Sequence, residues 1–305
     1  MKKILIILCF TMGLSNLIAQ QSTLTTQYMH NPFAINPAVA GTNNFYQMRL
    51  VSRMQWAGFV DAPFTSSISA YGPISPKRKN MGIGGTIYND VTSPTSRLGL
   101  KAAYAYNIPI GEIYHISFGL TMGFMQYKYD ASKVSIANLT YKSDPILTNS
   151  ISTFLPDGTA GVLFYSTPFQ VGVSIDQLFG STINNSDDPK VAGLGKLKRH
   201  VYLLALYTYV LNRKWSVEGS ALFKAVTPVD PQMDFNVRGI YKGMAWFGLS
   251  FRTSDAISIM AGYIINKRLI AGYSWDFSVM SPFRSYSFGS HEFMIGYRFN
   301  SMKFR

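Results

Sequence analysis

Glu292-Phe293-Met294-Ile295-Gly296-Tyr297-Arg298-Phe299 alternates with a period of two: Phe293, Ile295, Tyr297 and Phe299 share one face, and Glu292, Met294, Gly296 and Arg298 share the other. Successive side chains of a strand point to opposite sides, so this stretch is a strand with one wholly apolar side and its charges on the opposite one. The pattern recurs upstream. Leu269, Ala271, Tyr273, Trp275 and Phe277 oppose Arg268, Gly272, Ser274 and Asp276; Ile116, Phe118, Leu120, Met122 and Phe124 oppose Ser117, Gly119, Thr121, Gly123 and Met125. Leu98, Leu100, Ala102, Tyr104 and Tyr106 likewise alternate with Gly99, Lys101, Ala103 and Ala105, and Trp215, Val217, Ala221 and Phe223 with Ser216, Glu218, Ser220 and Lys224. From Val201 to Tyr209 both faces are apolar, which a contact with another protein or an interior plug would explain.

Composition tells what the apolar faces meet. Charged residues make up 14% of the chain, against roughly 25% in soluble domains. Aromatics are high at 14%, with Tyr 19 and Phe 21 far ahead of Trp 4. Beyond the N-terminus no apolar run approaches the roughly twenty residues of a spanning helix. Only helices and closed sheets satisfy every backbone N–H and C=O in hydrocarbon. The fold predicted is therefore all-β: a single antiparallel transmembrane β-barrel. Turn-forming breaks at 73–80, 89–94, 109–112, 212–214, 227–231 and 281–285 delimit strands near 45–55, 64–72, 81–89, 96–108, 113–128, 158–166, 169–176, 199–211, 214–226, 232–241, 244–253, 256–266, 268–278 and 290–299. That makes about 14 strands, an even number as bacterial barrels require. Two connections, Asp130 to Pro156 and Gln177 to Lys198, are long and polar and follow the fifth and seventh strands. Extracellular loops are long and periplasmic turns short, which places both outside.

Lys2 and Lys3, an apolar run from Ile4 to about Leu14 and Ala19 before Gln20 form a secretory signal peptide, residues 1–19, removed after Ala19. Localisation in the cell outer membrane follows. The lone Cys9 lies in that signal, so the mature chain has no disulfide and no cysteine metal site. The net charge of +13 is not blocked into a basic arm, and an exported chain does not meet nucleic acid. Outer-membrane lipid, lipopolysaccharide phosphates and acidic partners are better candidates. Further divisions are a 20–44 periplasmic or plug segment, a 45–299 barrel and a 300–305 tail.

Residues 26 to 65 do not read as ordinary barrel. Thr26-Gln27-Tyr28-Met29 leads to Asn31-Pro32, then Asn36-Pro37-Ala38 and Gly41, a compact turn-rich stretch. Arg49 and Arg53 follow on the polar face of the first strand, then Gln55-Trp56-Ala57-Gly58 and Ala62-Pro63-Phe64-Thr65. Downstream stand Gly82-x-Gly84-Gly85 with Asn89-Asp90, Tyr104-Ala105-Tyr106 and Ser117-Phe118-Gly119, and near the end Gly272-Tyr273-Ser274-x-Asp276 and Gly289-Ser290-His291-Glu292. In this order the residues resemble the PorP/SprF family of the type IX secretion system of gliding and secreting Bacteroidetes. The resemblance spans nearly the whole mature chain and is most specific at 27–65 and 272–292. It implies an outer-membrane barrel serving protein export or gliding, either a core component or an accessory of one cell-surface adhesin.

Chemistry is sparse. His30, His115, His200 and His291 show no ligand spacing, and no cofactor or small-molecule substrate is expected. Ser290 and His291 are adjacent in a strand and point apart, so they cannot act as nucleophile and base. Gly82 to Gly85 is not followed by a helix, so small lumen-facing residues in a filled or bent barrel explain it better than phosphate binding. The charges Arg49, Arg53, Lys101, Glu218, Lys224, Asp234, Arg238, Arg252, Arg268, Asp276, Glu292 and Arg298 fall on lumen faces. Mixed signs there suggest an ion-pair network filling the interior. Asn31, Pro32, Asn36, Pro37 and Gly41, with Gln55 and Trp56, are the candidates for a plug or for partner contact, as against a mere cap on the first strand. A non-enzymatic secretion or gliding component that binds an adhesin or the periplasmic apparatus leads; a transport barrel for small polar or hydrophobic solutes is the alternative, and a membrane lipase is third.

Overall fold

The computed structural model describes residues 25–74, 80–133, 150–183, 195–279 and 287–299. The signal peptide expected at 1–19 and the tail expected at 300–305 lie outside them. The chain forms a closed antiparallel barrel of β1 (Tyr46–Met54), β2 (Phe64–Pro73), β3 (Met81–Thr92), β4 (Thr95–Ile110), β5 (Tyr114–Tyr129), β6 (Ile151–Tyr165), β7 (Phe169–Asp176), β10 (His200–Val210), β11 (Trp215–Val226), β12 (Val229–Tyr241), β13 (Ala245–Arg252), β14 (Ala256–Ile265), β15 (Leu269–Ser278) and β16 (Ser290–Phe299). A separate ribbon of β8 (Thr182–Ile183) and β9 (Gly195–Lys196) sits in the connection after β7. Each of the fourteen expected strands is present, and β16 pairs back onto β1 with Tyr46 opposite Phe299 and Arg53 opposite Glu292.

Boundaries shift where turn chemistry is tighter than expected. The break placed at 89–94 is a turn of Ser93 and Pro94 alone, because β3 and β4 pair to Thr92 and Thr95. The turn before β12 shrinks to Thr227 and Pro228, and β12 begins at Val229. The largest difference is in the connection from Asp130 to Pro156: β6 starts at Ile151, and its first residues pair with the end of β5. Both long connections follow odd-numbered barrel strands and therefore share one end, called here the loop end; the opposite end carries the short turns.

Alternation organises the wall. Phe124, Leu100, Val237 and Phe247 point outward and are 58–68% exposed, a face that suits lipid. Inward positions are small or charged, except where large apolar side chains such as Leu163, Leu204 and Met260 are buried. The lumen is filled by residues 25–44, folded into three 3₁₀ turns at Tyr28–His30, Pro32–Ala34 and Pro37–Val39. Each Asn-Pro pair places its proline at the first helical position, where the missing N–H costs nothing and the fixed φ is already helical. Asn36 also caps its turn, its Oδ1 accepting from the Ala38 N–H at 2.9 Å.

This segment has two apolar contacts with the wall. Phe33, Ala38, Val39 and Ala40 pack on Tyr71, Ala103, Ala105 and Leu163. Tyr28 and Met29 pack on Tyr202, Leu204, Leu206, Leu222 and Met260. The second cluster explains why β10 is apolar on both faces: Val201, Leu203 and Tyr207 face out while Tyr202, Leu204 and Leu206 cover the plug.

Candidate functional site

The lumen side chains fall into three groups. Nearest the loop end, Arg53 from β1 is 2.6 Å from Asp276 of β15 and 3.4 Å from Glu292 of β16. Arg252 of β13 reaches Asp234 at 3.1 Å, Asp255 at 3.1 Å and Asp276 at 3.5 Å, and Lys224 of β11 reaches Asp234 at 2.7 Å. Thr26 stands at the centre. Its hydroxyl donates to Asp276 and accepts from Arg53 at 3.0 Å and Arg252 at 3.1 Å. Its backbone N–H and that of Gln27 donate to the two oxygens of Glu292 at 2.7 and 2.9 Å. Arg252 and Glu292 are almost fully buried. A buried charge without its counterpart costs several kcal/mol, so the wall network and the plug hold one another in place.

A second group joins Lys101 to Asp157 at 2.9 Å and Asp176 at 2.8 Å, with Tyr88 donating to Asp157. In the third, Arg238 pairs with Glu218 at 2.7 Å and also meets the ring of His30, which packs on Trp246 with ring centroids 4.4 Å apart. Arg49 has no carboxylate within ion-pair distance among the described residues; it donates to the His30 carbonyl at 3.0 Å and to Gln47 at 2.6 Å. Arg298 lies at the short-turn end with its guanidinium over the Phe45 ring. Arg268 is a correction. It stands exposed in the turn between β14 and β15, outside the lumen, because the β14–β15 ladder closes at Ile265 and Leu269.

The Asn-Pro residues meet the opposite wall. Asn31 Nδ2 donates to Ser69 at 3.2 Å, and Asn36 Nδ2 donates to the carbonyls of Val162 and Val173 at 3.0 and 3.3 Å. Pro32 and Pro37 open their turns, and Gly41 takes a positive φ of 77° against Gly82. The wall glycines are a mould of this path: a methyl group at Gly82 would overlap Ala40, at Gly119 the backbone of Ala38, and at Gly161 the side chain of Asn36. Gln55 and Trp56 lie apart from the plug. They sit half-buried at the loop end, where Trp56 N–H donates to Ser290 and Ala57 exchanges backbone bonds with Phe288 and Gly289.

Thr26, Asp157 and Asp176 were not among the residues expected from sequence. Thr26 is a neutral side chain in a segment without periodicity, and the two aspartates lie at strand positions next to long connections. A cavity of about 130 Å³ opens toward the loop end, floored by Phe33, Ile35 and Pro37 and walled by Thr65, Asp90 and Gln177. Another, of about 580 Å³, opens at the short-turn end among Asn43, Asn44, Asn80, Asn107 and Gln170. The plug lies between them. Such a lumen can hold a segment of chain; among the described residues it gathers no group of metal-ligating side chains.

The family described as type IX secretion system membrane protein PorP/SprF matches residues 17–297. No curated protein matches. Solved structures with a similar fold include the Ralstonia pickettii toluene transporter TbuX, at 10% identity and TM-score 0.49 over 90% of this chain and 93% of that one. A Pseudomonas aeruginosa FadL homologue matches at 11% identity and TM-score 0.48, over 86% and 91%. The Acinetobacter baumannii outer-membrane protein Omp33 matches at 9% and 0.46, over 85% and 100%.

Proposed function

The chain belongs to the PorP/SprF family of type IX secretion system membrane proteins, and from that premise we propose a non-enzymatic outer-membrane barrel that binds a secretion partner and helps export it or anchor it at the cell surface. The partner is a cell-surface adhesin, or a component through which the barrel links to the periplasmic apparatus of secretion or gliding. One observation carries the preference for holding a protein over passing solutes: Thr26 and Gln27 are tied to Glu292, Asp276, Arg53 and Arg252 inside the lumen, toward the loop end. An open porin would leave that space to water. Asn31, Pro32, Asn36, Pro37 and Gly41 build the plug, while Gln55 and Trp56, at the loop end, are the better placed for contact with an exported protein.

Affinity purification of the tagged barrel from outer membranes, read by mass spectrometry, tests this. A secreted adhesin or a type IX component should co-purify, and a Trp56→Ala variant should retain less of an adhesin bound at the loop end. Recovery of the barrel with neither, together with liposome swelling that scales with solute size, would replace the proposal with a transport barrel.

A further inference from the structure

The basic charge outside the lumen is unevenly placed. At the short-turn end, the turn between β10 and β11 carries Arg213 and Lys214, that between β12 and β13 Lys242, and that between β14 and β15 Lys267 and Arg268, all exposed. These turns are neighbours around the rim, since β10 to β15 are consecutive in the barrel. Among the described residues of the short turns the one carboxylate is Glu112, between β4 and β5 on the other side of the ring. None of the five cations forms an ion pair with another described residue.

Within this arc one place combines charge with an interfacial platform. The Lys242 N–H donates to the Lys214 carbonyl at 2.5 Å, which puts the two lysines side by side at the ends of adjacent strands. Directly beneath, Trp215 and Tyr241 are paired across the ladder with ring centroids 4.8 Å apart, and Lys242 Nζ lies 5.2 Å from the Tyr241 ring centre. Trp215 is 46% exposed and faces outward. Trp and Tyr mark the depth of lipid headgroups, and lysines just above that depth attract anionic lipid. An acidic protein would be met by lysines standing in water beyond the barrel, whereas Lys242 folds back over the ring.

We propose that Lys214 and Lys242, at the rim beside Trp215 and Tyr241, bind the phosphate of an anionic phospholipid in the leaflet that surrounds the short-turn end. The lysines supply charge and donors to the phosphate, and the two rings pack against the glycerol and the first acyl carbons. Short turns face the periplasm in bacterial barrels, so the ligand is a phospholipid of the inner leaflet. The site is independent of the partner-holding role and stands or falls separately from it.

The full-length protein is reconstituted in phosphatidylcholine vesicles containing equal mole fractions of brominated phosphatidylglycerol or brominated phosphatidylcholine, and Trp215 emission is isolated by difference against Trp215→Phe. Brominated phosphatidylglycerol should quench Trp215 more strongly, from a local enrichment on the order of fivefold for each lysine. The Lys214→Gln/Lys242→Gln double variant should be quenched equally by both lipids, while Lys133→Gln at the loop end keeps the preference. Should Trp215→Phe fail to assemble, native mass spectrometry of phosphatidylglycerol retained by the wild type and the double variant reads the same difference. Equal quenching of the wild type, or a preference that survives in the double variant, overturns the site and leaves the basic rim to an acidic protein surface.

Discussion

Glu292 shows how one side chain links sequence pattern to fold. It lies opposite Arg53 at the seam where the last strand meets the first, and its two oxygens receive the N–H groups of Thr26 and Gln27. Replacing it by Gln leaves Arg53 with less compensation and the first plug residues with a weaker acceptor. Glu292→Gln should lower unfolding free energy by about 3–5 kcal/mol in denaturant titrations, whereas Arg268→Gln, in its exposed turn, should change it by less than about 0.5 kcal/mol. Equal losses would mean that the buried network does not fasten the plug. Glycines give a second contrast. Gly161→Val drives a side chain into Asn36 and should cost about 1–3 kcal/mol; Gly219→Val, where an added Cβ meets no atom within 4 Å, should leave the heat-modifiable gel shift of the folded barrel unchanged.

At the scale of elements, the plug and the wall are complementary. The plug has no sheet partner and almost no regular structure, and its backbone groups are satisfied by 3₁₀ turns, by Asn36 and by wall carboxylates. Residues 25–40 are a separable piece, since the ladder closes through β1 and β16 without them. Their deletion should raise single-channel conductance in planar bilayers well above that of the intact protein. A large, steady conductance in the intact protein would show that the plug does not close the pore. The outward faces obey a different solvent. Leu100→Arg, near the middle of β4, should cost about 2–4 kcal/mol, and Ile110→Arg, at its short-turn end, about 0–1 kcal/mol; urea titration in lipid vesicles measures both, and a reversed order would misplace the membrane belt.

For the whole molecule, much was legible from one chain. Low charge, many tyrosines and period-two alternation determined a closed antiparallel sheet in lipid, because no other arrangement satisfies every backbone group of such strands there. The long polar connections were found in their correct order for the same reason: lipid-facing strands cannot contain them. The Asn-Pro pairs marked a compact non-strand segment. A lumen plug and a cap on the first strand were both open readings of it; only the tertiary structure chose between them, since turn chemistry is local and says nothing about which wall a turn packs against. Tertiary structure also separated Gln55 and Trp56 from the plug they follow in sequence, moved Arg268 from lumen to turn, and drew Thr26, Asp157 and Asp176 into the interior. The alternation in Glu292 to Phe299 could assign sides of a strand but not partners across a barrel, because pairing depends on register and closure, and both are properties of the whole sheet.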